Sequence, residues 1–93
     1  MLNKNIIQIR KKLDRLDNLL LDLIKKRIFL IDRVLENKKN KKEIVDKKRI
    51  NVILRNIKKK SLKKKIDRTV TNKIWKAIIN ASIDYEFRKF KKK

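Results

Sequence analysis

Arg27 interrupts a row of apolar residues, Ile9, Leu13, Leu16, Leu20, Leu23, Leu30 and Val34, whose spacing by threes and fours marks one face of a helix. An unpaired guanidinium buried in such a seam is costly, so Arg27 calls for an anionic partner, either a carboxylate of the chain such as Asp22 or Asp84 or a ligand. Lys38 follows three helical turns later and near the same face, which turns two cations into one groove. Arg10 lies about 25 Å back along a straight helix, and only an antiparallel second chain brings it to that groove. Further on, Ser82 and Glu86 are four residues apart and continue the inward face of Ile78 and Ile79, which sets a hydroxyl beside a carboxyl. The plainer reading of that couple is a polar pair at a surface edge. Taken together, these residues describe an anion pocket at a dimer interface, suited to a ligand with two carboxylates.

The elements that must carry this pocket are helices. The seam and a second apolar row beside it, Leu21, Ile24, Ile28, Ile31 and Leu35, predict one long helix over about 5–38 with a face wide enough for more than one neighbour. Such a helix is on the order of 50 Å long, more than the rest of one small chain can cover, so a second chain is its natural cover. After a polar stretch from Asn37 to Lys42, Asp46 is a candidate N-cap for a short helix over about 47–60 through Ile50, Ile53, Leu54 and Ile57. A second break is expected at Ser61 to Ile66. Asp67 then caps a helix over about 68–90 through Val70, Ile74, Trp75, Ile78, Ile79 and Ile83. The expectation is a single all-α domain of long, short and medium helices spanning 1–93.

Composition narrows the chemistry. The 93 residues include no Cys and no His, which removes thiolate nucleophiles, the commonest general base and the usual zinc ligands. Without Gly, phosphate-cradling loops and dinucleotide fingerprints cannot form, and without Gly or Pro nothing interrupts a helix. No metal or cofactor is expected. No apolar run reaches the roughly 18 residues of a membrane span and the first residues do not read as a secretory leader, so a cytoplasmic location is expected. The net charge is +21, with fourteen of the 31 Lys and Arg between residues 37 and 65. Nucleic acid is one explanation of that excess, but no stacking aromatics are interleaved with the basic clusters. The abundance of Lys, Asn and Ile, with Ala only at Ala77 and Ala81, fits drift of surface positions to Lys in an A- and T-rich coding sequence. Lys58 to Lys60, Lys63 to Lys65 and Lys91 to Lys93 then read as solvated faces or tails.

Ile9-Arg10, the run Leu13-Asp14-Arg15-Leu16-Asp17, Leu20, Arg27, Lys38, Val45-Asp46-Lys47-Lys48-Arg49 and Ile79-Asn80-Ala81-Ser82 resemble the all-helical class of chorismate mutases. The register runs from Ile6 to about Phe90, with one residue fewer between Lys38 and Asp46. The resemblance implies an intertwined homodimer with two equivalent sites, converting chorismate to prephenate by a Claisen rearrangement on the route to phenylalanine and tyrosine. By position, Arg27 and the partner chain's Arg10 would grip the two carboxylates and Lys38 would donate to the ether oxygen whose bond breaks. Asp46, Arg49 and Ser82 would line the site around the carboxylate and ring hydroxyl, and Glu86 would contact the ether oxygen opposite Lys38. No appended dehydratase, dehydrogenase or regulatory domain is expected.

A pericyclic rearrangement suits the composition, because it needs a chair-like substrate conformer and positive charge at the ether oxygen rather than a nucleophile or metal. The chain departs from the class at two positions. Ile50 follows Arg49 where Glu is common, so recognition of the ring hydroxyl falls on Asp46 or backbone. Glu86 stands where many members carry Gln, and a carboxyl must be protonated to donate to an oxygen that is becoming negative. The alternatives are isochorismate-pyruvate lyase, which shares the fold and a similar cation set, a basic helical dimer that binds nucleic acid, and a helical dimer of purely structural use.

Overall fold

A computed structural model describes residues 3–91; Met1, Leu2, Lys92 and Lys93 lie outside the described residues. Three helices follow one another, α1 over Lys4–Glu36, α2 over Lys47–Lys64 and α3 over Arg68–Lys89, with a 3₁₀ turn at Lys41–Glu43. No strand occurs among the described residues. The chain divides into a unit ending at Ile31 and a unit beginning at Asp32.

The first unit is helical from Lys4 onward. The Asn3 side chain accepts from the Ile6 N–H at 2.8 Å and satisfies one of the donors that a helix start leaves open. The expected apolar rows are on its surface: Leu13, Leu16, Leu20 and Leu23 are each more than half exposed. A continuous apolar stripe of this length exceeds what isolated proteins leave in water.

In the second unit the helix ends earlier than the spacing predicts, at Glu36 and not at about Lys38. The reason is local. The Asn37 side chain donates to the Arg33 carbonyl at 2.8 Å, while the N–H groups of Asn37 and Lys38 reach back only three residues, to Val34 and Leu35. These bonds use up the last carbonyls and tighten the end of the helix. Lys38 therefore leaves α1 on a turn, and its placement does not follow from helical phase. Beyond it, Asn40 and Glu43 form a capping box on the 3₁₀ turn. Backbone N–H groups of Asn40 and Lys39 hold the Glu43 carboxyl below its ordinary pKa. That support is present above the ordinary carboxylate range and is lost as pH falls through the lowered value.

Asp46 caps α2 by accepting from the Arg49 N–H at 3.0 Å, and Asp67 caps α3 by accepting from Thr69 and Val70. The second helix runs on to Lys64, so the break expected from Ser61 to Ile66 is confined to a shorter connection. Ser61 is no breaker here. Its hydroxyl donates to the Ile57 carbonyl at 2.6 Å, as serine can within a helix, and meets the Thr71 hydroxyl at 2.8 Å in a buried contact between α2 and α3. The small core of this unit is completed by Leu35, Ile44 and Ile79. Lys58 to Lys60 and Lys63 to Lys65 are exposed, as solvated faces should be.

The end of α2 is made without glycine. Lys65 adopts φ 58° and ψ 41°, with its own N–H on the Leu62 carbonyl and the Ile66 N–H on the Ser61 carbonyl, the double bond pattern of a Schellman motif. A left-handed residue with a Cβ costs about 1–2 kcal/mol, part of which glycine's greater unfolded-state freedom would cancel. Lys65→Gly is therefore expected to stabilise the fold by about 0.5–1 kcal/mol, read as a higher urea midpoint at unchanged slope.

Candidate active site

The second unit brings two of the expected site residues into contact. Lys38 arrives from the turn after α1 and Glu86 from the last third of α3, and Lys38 Nζ donates to Glu86 Oε1 at 2.8 Å. Both side chains are largely withdrawn from solvent, with side-chain exposures of 17% and 8%. At this depth a cation and a carboxylate are tolerated because each compensates the other; removing either would strand the remaining charge. The ammonium has three donors and this contact uses one, so two remain for a ligand atom or water. Ser82, one turn before Glu86, is half-buried, and its hydroxyl donates to the Ile78 carbonyl at 2.8 Å.

Asp46 and Arg49 stand together at the start of α2, both exposed. The Asp46 carboxylate is engaged by the Arg49 backbone N–H, and its capping role leaves lone pairs on the carboxylate for another donor. Arg10 and Arg27 belong to the first unit, where Arg10 is exposed and Arg27 half-buried on α1. Of the carboxylates weighed as partners for Arg27, Asp84 bonds Arg88 on its own helix at 2.9 Å.

One contact next to the Lys38–Glu86 pair was not read from the sequence. The Tyr85 hydroxyl donates to Asp32 Oδ1 at 2.7 Å across 53 residues of chain. The bond to Asp32, with burial adding to it, holds the phenol above its ordinary pKa. Tyr85 is the chain's single tyrosine, and it adjoins Glu86, which is the only hint the sequence offers. A groove of about 490 Å³ lies between α2 and the first turns of α3, beside Arg55, Lys58, Arg68 and Lys73. It shares no residue with the Lys38–Glu86 pair. Among the described residues no cluster of acidic side chains could hold a metal ion, and no helix is long and apolar enough to cross a membrane.

The scaffold is all-helical, and the Lys38–Glu86 pair places opposite charges in a sheltered position within it. The model of the chorismate mutase type II family matches residues 9–87, and the chain belongs to that family. Its activity is that of an isomerase acting on chorismate. No curated protein and no solved structure matches the chain.

Proposed function

We propose that the chain works as an intertwined homodimer in the cytoplasm, each of its two sites built from Arg27, Lys38, Asp46, Arg49, Ser82 and Glu86 of one protomer and Arg10 of the other. The observation that carries this reading is the sheltered Lys38–Glu86 pair in a chain of this family. The exposed apolar rows of α1 support the dimer, since they offer a second copy a long surface to cover. The two arginines hold the substrate's carboxylates and select its chair-like conformer, which removes much of the entropy of the rearrangement. As the ether C–O bond breaks and the new C–C bond forms, negative charge gathers on the ether oxygen, and the Lys38 ammonium is already in place to meet it. No group on the protein gains or loses a covalent bond.

Glu86 brings a carboxyl to the same oxygen. Ionised, it accepts from Lys38 and opposes negative charge on a nearby ether oxygen; protonated, it becomes a second donor to that oxygen. Glu86→Gln, whose amide can donate to the ether oxygen where a carboxylate only accepts, is expected to match or exceed wild-type turnover, read as kcat for chorismate beside the wild type. A loss of turnover in that variant as large as in Glu86→Ala overturns this role.

The test of the whole reading is loss of chorismate absorbance on adding the purified protein at pH 5 and pH 8, with Arg27→Ala beside it. Prephenate formed by the wild type and not by the variant is the expected result. Release of pyruvate from isochorismate with chorismate left intact would overturn the assignment in favour of lyase chemistry. Salt-sensitive nucleic-acid binding without turnover would overturn it in favour of a basic binding module.

A further inference from the structure

We propose that Tyr85 and Asp32 are positioning residues: the hydrogen bond between them fixes α3 against the end of α1 and so holds Glu86 at its distance from Lys38. This rests on the role proposed for the Lys38–Glu86 pair. The segment from Asp32 to Lys38 is tied to α3 by two side-chain bonds, Tyr85 to Asp32 at 2.7 Å and Lys38 to Glu86 at 2.8 Å. Their α3 ends are adjacent residues, whose side chains leave a helix about 100° apart. Their other ends are six residues apart, one on the last turns of α1 and one on the turn that follows it. A single bond would let α3 rotate or slide about the contact. Two bonds leaving the helix in different directions remove both freedoms.

The division of labour between the two bonds follows from what each must do during turnover. Lys38 must turn its donors to the ether oxygen, and its bond to Glu86 loosens or is shared as the substrate arrives. The spacing of the two helices then cannot depend on that bond. The Tyr85–Asp32 bond is outside the proposed substrate contacts, so it persists while Lys38 and Glu86 change partners. Several features keep it made. Tyr85 and Asp32 are both half-buried, and the phenol's raised pKa keeps its proton in place. The cationic groups of Arg88 and Lys89 lie 5.9 and 6.0 Å from the ring centroid, at the outer range of cation–π attraction, and favour the observed ring placement.

The experiment is steady-state turnover of chorismate by Tyr85→Phe, Asp32→Ala and Asp32→Asn, with folding checked by helicity and urea midpoint. Tyr85→Phe and Asp32→Ala are expected to lower kcat by about 10-fold, in keeping with the sensitivity of rates to small displacements of catalytic groups, while KM stays within about 2-fold because the arginines that hold the carboxylates are untouched. Asp32→Asn keeps the accepting oxygen and is expected to retain most of the activity. In a Glu86→Ala background, Tyr85→Phe should have little further effect on kcat, because what it positions is gone. Unchanged kcat in Tyr85→Phe, or a full extra loss in the Glu86→Ala background, would overturn the proposal. A readout independent of turnover separates this from failure of the functional reading. The Lys38 ammonium, protected from exchange by its bond to Glu86, should give a nitrogen-15-edited signal in the wild type that is broadened in Tyr85→Phe. An inert wild type overturns the functional reading alone, whereas an ammonium signal equally sharp in both proteins overturns the positioning role.

Discussion

Lys38→Ala is expected to lower kcat for chorismate by on the order of 10²- to 10³-fold, the range seen when one preorganised donor to a developing oxyanion is removed. The loss has two sources. The first is the ammonium proposed to meet the ether oxygen, whose loss is felt in the transition state more than in the bound substrate and so appears in kcat. The second is Glu86, whose side chain is 8% exposed and would be left buried without its cationic partner. KM should change less, because the substrate's carboxylates are assigned to the arginines. Lys38→Arg is not a conservative exchange, since a planar guanidinium cannot occupy the place of a compact ammonium at 2.8 Å from Glu86. The two sources separate in Lys38→Ala/Glu86→Gln: removing the stranded charge should recover folding stability lost in Lys38→Ala, read by urea denaturation, without restoring wild-type turnover. Turnover by Lys38→Ala within a few-fold of wild type would remove Lys38 from the chemistry.

The parts of this fold that were legible in the sequence are those decided within a turn of helix. Asp46 and Asp67 announce the starts of α2 and α3 because an Asp side chain captures N–H groups two or three residues on, an interaction that needs nothing else from the chain. The helix ends were less legible for the same reason turned round. Glycine is the usual mark of a helix C-terminus, and in a chain without glycine the left-handed residue is Lys65, one of many lysines and indistinguishable from its neighbours by type. Ser61 misled in the other direction, since serine is common at breaks but can bond back to the preceding turn and stay in a helix, as it does onto Ile57. Lys38 and Glu86 stand out as polar residues against apolar rows, but helical phase does not set Lys38's position, because α1 has already ended at Glu36. The Tyr85–Asp32 bond had no signature: a contact between residues 53 apart depends on how the helices are brought together, and neither residue type at its own position requires the other.

Arg10→Ala and Lys38→Ala, each nearly inactive alone, are expected to restore one another when mixed. In the proposed dimer a site takes Lys38 from one protomer and Arg10 from its partner. A heterodimer of the two variants therefore holds one site with both residues intact and one site with neither. If unfolding and refolding an equimolar mixture pairs chains at random, half of the dimers are heterodimers and about one quarter of all sites are complete, as follows from the two-fold symmetry of an isologous dimer. Turnover should rise to about a quarter of the wild-type value, far above either variant, since truncating a charge that grips a desolvated carboxylate costs about 2–5 kcal/mol. The complete sites are wild type in every contact, so their KM should be that of the wild type and not an average. A single-chain site predicts no gain on mixing at all, because every chain carries one of the two defects. A rise to a quarter with wild-type KM would thus place Arg10 across the interface and explain the exposed seam of α1 at once: its leucines would be covered by the same second chain whose arginine completes the site.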